Sequence, residues 1–148
     1  MSTTALTLTP RAIALAHYAG RALLEGALAR RGITFDQSVT LRAVATAGGS
    51  IDRDALVSEL VDSLKKDEPS VRGIVEELTA AKLLEADPEQ PLGIRLSDAG
   101  RALHDASAIE TAEISARLYA DIPAADLAVA GRVLTLITQR ANAALVRA

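Results

Sequence analysis

The stretch that decides the fold runs from Ile51 to Leu96 and reads IDRDALVSELVDSLKKDEPSVRGIVEELTAAKLLEADPEQPLGIRL. Near its start, Asp52 is a residue type that favours the N-terminus of a helix. Leu56, Leu60 and Val61 follow at spacings that place them on one side of that helix. The stretch is therefore predicted to begin with a short helix that buries one face.

A second helix is predicted to begin near Glu68, after the linker DSLKKD. Acidic side chains suit the positive end of a helix, and Pro69 fits the first helical turn. The apolar residues that follow recur every three or four positions, at Val71, Ile74, Val75, Leu78 and Ala81. The opposite face is expected to be exposed, with Ser70, Arg72, Gly73, Glu76 and Glu77 on it.

The end of the stretch is typical of a β-hairpin. Two prolines and a glycine in PEQPLG predict a turn, and strands are predicted on either side of it at Leu83–Ala86 and Ile94–Leu96. Helix, turn, helix and hairpin in this order is the pattern of a winged helix, whose second helix usually enters the major groove of DNA. We therefore predict a mainly α-helical fold with a small β-hairpin wing, in which residues 34–96 form a DNA-binding lobe.

Two helices are predicted before this stretch. Thr9 and Pro10 are suited to the start of a long helix, which is expected to end at Gly32. Thr34 and Gln37 then have the spacing of a capping box, in which each residue satisfies a backbone N–H of the other. A second, shorter helix is therefore expected from this point.

After the hairpin, Ser97 is expected to cap one long helix, and Pro123 to open another. The last helix carries an apolar stripe too long for a small domain to cover, with Leu127, Ala130, Val133, Leu134, Ile137, Ala141, Ala144 and Leu145 on it. A second copy of the chain would cover this stripe. We therefore predict a twofold homodimer in which the dimerisation helices, within residues 10–32 and 97–148, interleave.

The composition is that of a single globular domain over residues 1–148, since 49% of the residues are hydrophobic and 24% are charged. The absence of cysteine excludes disulfides and thiolate metal sites, and two histidines at unrelated positions do not indicate a zinc site. No apolar run reaches the roughly 18 residues of a membrane span, and the first residues lack the pattern of a signal peptide. We predict a soluble cytoplasmic protein that uses no cofactor, metal or membrane.

The charge of the decisive stretch opposes the prediction of DNA binding. Between Ile51 and Leu96 there are six basic and eleven acidic side chains, a net charge of −5. However, a dimer that makes roughly 6 to 10 phosphate contacts needs only about three to five cations per subunit near the DNA. The negative charge therefore predicts weaker non-specific binding rather than none.

The order of the predicted elements resembles that of the MarR family of bacterial transcriptional regulators over nearly the whole chain. ITFDQSVTLRAVA (residues 33–45) is similar to the family's helix before the DNA-binding unit, and PSVRGIVEELTAAKLLEAD (residues 69–87) to its reading helix and the start of its wing. IRLSDAG (residues 94–100) is similar to the Leu-Thr-x-x-Gly motif that follows the wing. The resemblance implies a homodimer that binds palindromic operator DNA and releases it when a small, often aromatic or acidic, ligand binds.

Candidate residues for double-stranded DNA follow from the exposed face of the second helix and from its surroundings. Ser70 and Arg72 would read bases, since an arginine can donate two hydrogen bonds to guanine. The candidates for phosphate contacts are Lys65, Lys66, Arg53 and Arg95.

Candidate residues for a small-molecule effector are His17, Tyr18, Arg21, Arg42 and His104. If they converge, they would form an apolar cleft with a few polar groups suited to a carboxylate or a phenol. The alternative is that His17 and Tyr18 pack at the dimer interface and that His104 is exposed.

Two other classes of function stay open. A protein-interaction module is favoured by the net charge of −5 and by the turn of the hairpin, where Glu89 stands and the family usually has an arginine. An enzyme is disfavoured, because the sequence shows no nucleophile beside a base, no glycine-rich phosphate loop and no metal cluster.

Overall fold

The computed structural model describes residues 6–148, which form six helices and three short strands. In chain order these are α1 (Pro10–Ala29), α2 (Phe35–Thr46), β1 (Ser50–Asp52), α3 (Arg53–Leu64), α4 (Glu68–Ala80), β2 (Leu84–Ala86), β3 (Gly93–Leu96), α5 (Asp98–Tyr119) and α6 (Ala124–Arg147). The predicted fold class, mainly α-helical with a small β wing, is confirmed.

Side chains at the helix starts explain why the helices begin where they do. The Oγ1 atom of Thr34 accepts from the backbone N–H of Gln37 at 3.1 Å, and Oε1 of Gln37 accepts from the backbone N–H of Thr34 at 3.0 Å. This is the predicted capping box of α2. Asp52 caps α3, and Asp67 caps α4 through the backbone N–H of Ser70 at 2.8 Å. Hydrogen bonds from Ser70 lower the pKa of Asp67 below its ordinary value of 3.8.

The wing contains one strand more than the sequence predicted. β1 pairs antiparallel with β3, which also pairs with β2, so the sheet order is β1-β3-β2. Leu96 donates its backbone N–H to the carbonyl of Gly49 at 3.0 Å, and Gly49 has a φ of 95° that favours glycine. A strand of three residues between a glycine pair and a helix cap is too short to show an alternating pattern.

The core lies where α2, α3 and α4 pack against the sheet. Its most deeply buried apolar side chains are Leu41, Val44, Leu56, Leu60, Val71, Val75, Leu78, Leu84 and Ile94. The predicted buried face of α4 is thus confirmed up to Leu78. Ala81 departs from the prediction because the helix ends at Ala80 and leaves it exposed.

Ser97 joins the wing to α5. Its backbone N–H donates to the carbonyl of Leu83 at 3.1 Å, and its hydroxyl donates to the carbonyl of Lys82 at 2.7 Å. The same hydroxyl accepts from the backbone N–H of Gly100 at 2.9 Å, which confirms the predicted cap. At Gly100 a Cβ atom would lie 2.0 Å from the carbonyl oxygen of Leu83, so only glycine fits this approach.

The described residues divide into two compact units, one that ends at Ile114 and one from Ser115 to Ala148. In the second unit, none of the residues of α6 is buried. Val133, Leu134 and Ile137 are 37%, 39% and 41% exposed on this helix. No helix in residues 6–148 has the length and apolar character needed to cross a membrane.

Candidate nucleic-acid interface

The start of α4 presents a polar face away from the core. Val71, Ile74 and Val75 are buried on the inner side of this helix. Ser70 is exposed on the outer side, and the Arg72 side chain keeps 40% of its accessible surface. The structure thus places both predicted base-reading residues on the outer face of the second helix of a helix-turn-helix.

Arg72 is held by two carboxylates. Its Nε and Nη2 atoms lie 2.9 Å and 2.7 Å from Oε1 of Glu68, which stands one turn earlier on α4. Its Nη2 atom also donates to Oδ1 of Asp54 at 3.1 Å, in the first turn of α3. The hydrogen bonds to Glu68, and then to Asp54, raise the pKa of Arg72 above its ordinary range. The guanidinium is therefore charged and oriented between the starts of the two helices.

Three other candidate cations also have acidic partners. Lys65 lies 3.4 Å from Oδ1 of Asp62, and Arg95 lies 3.0 Å from Oε1 of its cross-strand partner Glu85. Lys66 binds Oδ2 of Asp36 on α2. These cations are thus partly neutralised by the protein's own acids, which fits the net charge of −5 in this stretch.

Asp36 and Arg53 differ from the other members of the surface. The side chain of Asp36 is only 14% exposed, and its Oδ1 has no hydrogen-bond partner among residues 6–148. Lys66 is therefore the ion-pair partner of a largely buried carboxylate. Arg53 forms no ion pair with any of residues 6–148, and its backbone N–H donates to the carbonyl of Leu92 in the wing at 2.9 Å.

The tip of the wing is acidic and apolar. Asp87 accepts hydrogen bonds from the Ser50 hydroxyl and from the backbone N–H of Glu89, and these lower its pKa below the ordinary value of 3.8. Glu89 is exposed, and Leu92 is 73% exposed. The tip therefore offers a carboxylate and a leucine to the solvent, of which the sequence predicted the carboxylate of Glu89 at the turn.

The structure places two of the five candidate effector residues, His17 and Arg21, against Phe35, and a third, Tyr18, beside His17. The guanidinium of Arg21 lies 4.5 Å from the centre of the Phe35 ring, and the ring of His17 meets Phe35 edge-on at 6.5 Å. The rings of His17 and Tyr18 are 6.0 Å apart. We call His17, Tyr18, Arg21 and Phe35 the α1–α2 cluster.

The other two candidates are not tied to this cluster. Within residues 6–148, no hydrogen bond, ion pair or ring contact connects the side chain of Arg42 or His104 to it. His104 is half-buried. The alternative interpretation of the sequence, in which His104 is exposed, is therefore wrong. No group of three or more potential metal ligands occurs among the described residues.

Sequence reasoning missed Phe35, Asp54 and Glu68. The spacing of four residues between Glu68 and Arg72 is that of a helical ion pair and could have indicated the contact. Asp54 lies 18 positions from Arg72 and meets it only because α3 packs against α4. Phe35 lies on α2 and contacts Arg21 only because α2 packs against α1 after the turn that joins them.

No family model matches the sequence, and no curated protein matches it. Solved structures do match. The reduced form of MarR from E. coli is 20% identical with a TM-score of 0.67, over 90% of this chain and 95% of that one. A MepR–DNA complex from S. aureus is 18% identical with a TM-score of 0.71, over 86% and 92%. BpsR of Bordetella bronchiseptica, whose DNA binding is regulated by 6-hydroxynicotinic acid, is 22% identical with a TM-score of 0.69, over 86% and 96%.

These likenesses extend over both the wing and the helices on either side of it, because each covers at least 86% of the chain. They agree with the mostly helical element order and the small three-stranded sheet. The chain has the winged-helix fold of the MarR-family transcriptional regulators.

Proposed function

We propose that this chain is a DNA-binding transcriptional regulator of the MarR type, not an enzyme, and that it acts as a homodimer on a palindromic operator. The observation that carries the proposal is the polar outer face of α4, where Ser70 and Arg72 stand at the exposed start of the second helix of a winged helix. The same fold occurs in the MepR–DNA complex.

In this proposal Ser70 and Arg72 face base edges in the major groove. Lys65, Arg53 and Arg95 contact phosphates, since an exposed ion pair within the protein stabilises little and can be exchanged for a pair with phosphate. Lys66 contacts a phosphate with its remaining N–H donors while it stays bound to Asp36, because an ammonium group has three donors. The acidic partners reduce binding to DNA in general.

The proposed dimer buries the apolar stripe of α6. This helix exposes Val133, Leu134 and Ile137 on consecutive turns, and isolated soluble proteins rarely expose continuous apolar patches of this kind. A twofold dimer would place two α4 helices on one palindromic site, with half-sites about one helical turn apart.

A small aromatic or acidic effector is proposed to bind at the α1–α2 cluster. Its basic group, Arg21, lies over the Phe35 ring and is paired with Glu25 at 2.7 Å, and the carboxylate of an aromatic acid would replace that of Glu25. The regulation of BpsR by 6-hydroxynicotinic acid is an example of such chemistry in a protein of this fold. Arg42 and His104 remain candidates for the polar end of the effector.

The second candidate function is a winged-helix dimer that binds proteins instead of DNA. The acidic tip of the wing favours it, since Glu89 and the exposed Leu92 would face away from a phosphate backbone more readily than towards it.

Fluorescence anisotropy distinguishes the two functions. The purified protein is titrated onto labelled duplex from upstream of its own gene and onto a scrambled duplex, from low to physiological salt. We expect tighter binding to the first duplex and a steep loss of affinity with salt. Equal and feeble binding to both duplexes would overturn the regulator proposal and favour the protein-binding function.

A pair of lysine variants tests the proposed contact surface. Lys65→Ala should weaken binding to both duplexes alike and lower the salt slope by about one. Lys82→Ala is the matched control, because Lys65 and Lys82 both have left-handed backbone, with φ of 54° and 61°, and both follow a helix. Equal slopes for the two variants would contradict the assignment of Lys65 to a phosphate.

A further inference from the structure

We propose that the two carboxylates around Arg72 tune its preference for guanine in opposite directions, with Glu68 as its positioning residue and Asp54 as a competitor that guanine must displace. This inference rests on the proposed DNA-binding function. It assigns a role to two acids that would otherwise only oppose DNA binding.

The hydrogen bonds of the guanidinium show which edge each acid occupies. Nε donates to Oε1 of Glu68 at 2.9 Å, and the same oxygen lies 2.7 Å from Nη2, so Glu68 occupies the side edge of the guanidinium, formed by Nε and Nη2. Nη2 carries two hydrogens, and the one not directed towards Glu68 belongs to the end edge, formed by Nη1 and Nη2. The hydrogen bond from Nη2 to Asp54 therefore uses the end edge. An arginine that reads O6 and N7 of guanine with its end edge needs the N–H that Asp54 now accepts.

Asp54 is the acid better placed to leave. It accepts one hydrogen bond at 3.1 Å, its side chain is 80% exposed, and it belongs to a different helix from Arg72. Glu68 lies within 2.9 Å of two guanidinium nitrogens, is 59% exposed, and stands one turn away on the same helix. Guanine would therefore replace Asp54 while Glu68 keeps the arginine in its orientation.

Guanine is the base best suited to this exchange. Guanine presents two acceptors in the major groove and can take both N–H groups of the end edge. Adenine presents one acceptor beside a donor, so it cannot replace the carboxylate fully. With a base that cannot replace the carboxylate, Arg72 keeps its hydrogen bond to Asp54 and loses nothing. The loss of that bond is therefore a cost that the guanine contact alone bears, and Asp54 reduces the preference for guanine.

Selection from a randomised duplex library tests the proposal, followed by anisotropy competition with every base at the most strongly selected guanine position. Arg72→Ala should lose the preference for guanine, which for a two-bond contact is about 5- to 150-fold. Asp54→Ala should bind the guanine duplex more tightly, by more than it gains on the other duplexes, and so increase the guanine preference several-fold. Glu68→Gln should instead reduce it, because the arginine is held less firmly, and Glu68→Asp should restore part of it.

Two controls separate this role from a simple charge effect. Glu76→Ala removes an exposed carboxylate from the same helix without touching Arg72, so it should tighten binding to all duplexes equally. In an Arg72→Ala background, Asp54→Ala should no longer change base preference. Asp54→Asn preserves the shape of this side chain at the start of α3 and removes its charge. A change in base preference in the same direction as in Asp54→Ala would show that the effect does not come from a disturbed helix start.

The outcomes are separable from those of the proposed function. If the wild-type protein selects no motif from the library, the DNA-binding function itself fails. If it selects a motif and Asp54→Ala increases the guanine preference no more than Glu76→Ala does, the function stands and the inference about Asp54 is overturned. If Glu68→Gln keeps the full guanine preference, the positioning role of Glu68 is overturned.

Discussion

Gly100→Ala should destabilise the protein, because α5 begins in direct contact with the backbone of Leu83. A Cβ atom at residue 100 would lie 2.0 Å from the Leu83 carbonyl oxygen and 2.9 Å from its carbonyl carbon. Ordinary contacts begin near 3.4 Å, so the helix start would have to retreat by about 1.4 Å. That movement would also stretch the hydrogen bond from the Ser97 N–H to the same carbonyl.

The expected magnitude follows from three contributions. Forcing an extra methyl into a packed site costs about 1–3 kcal/mol, and weakening one hydrogen bond costs about 1 kcal/mol. Alanine is better than glycine in a helix by roughly 0.5–1 kcal/mol, which offsets part of this cost. The net loss in the free energy of unfolding should therefore be about 1–3 kcal/mol, out of a typical total of about 5–15 kcal/mol.

Urea denaturation followed by circular dichroism measures this loss, at one fixed protein concentration because the chain is proposed to dimerise. The matched control is Gly73→Ala in α4, outside the proposed dimer interface, where a Cβ atom would meet no atom within 4 Å. This control should raise the free energy of unfolding by roughly 0.5–1 kcal/mol. If Gly100→Ala proved as stable as the wild type, the reasoning about the Leu83 contact would be refuted.

Three further predictions concern the dimer, the ion pairs and the reading helix. Ile137→Asp should produce monomers in sedimentation velocity, because it would bury an unpaired charge in the proposed interface. Glu110 has a pKa below its ordinary value of 4.5, since Arg30 and then Arg31 donate to it, so its ion pairs stabilise the protein above that value and are lost as the pH falls. Glu110→Gln should therefore lower stability in urea denaturation at neutral pH and differ little from the wild type in acid. Gly73→Ala, where a Cβ atom meets nothing within 4 Å, should raise stability by roughly 0.5–1 kcal/mol in thermal melts.

Each of these has a control. Val146→Asp places the same charge on α6 at a residue that is 87% exposed, and should leave the dimer intact. Glu113→Gln alters a carboxylate of α5 that forms no ion pair with any of residues 6–148, and should leave the acid dependence unchanged. The first prediction would be contradicted if Ile137→Asp remained a full dimer. The second would be contradicted if Glu110→Gln differed in stability from the wild type by the same amount at all pH values, and the third if Gly73→Ala were destabilised.

Elements set by nearby residues could be predicted from the sequence. The caps at Thr34, Asp52 and Asp67 depend on side chains that bond to backbone a few residues away. The buried face of α4 follows from the spacing of its apolar residues. The strand Ser50–Asp52 was missed because its partner strand is more than forty residues away and its own pattern is too short.

The charged contacts of the candidate site could be predicted only in part. Lys66 and Asp36 are 30 residues apart, and Arg72 and Asp54 are 18 apart, so these pairs exist only after α2, α3 and α4 pack together. The sequence identified the cations but not the acids bound to them. It therefore predicted a face for DNA contact without showing how that face is restrained.

The sheet of the wing has a consequence for solubility. Its two outer strands, β1 and β2, are each only three residues long, and each includes an acidic side chain, Asp52 in one and Glu85 in the other. Strand edges that are short and charged are poor templates for pairing with strands of other molecules. The wing is thus protected against edge-to-edge aggregation, and contacts between copies of this chain are left to helical surfaces.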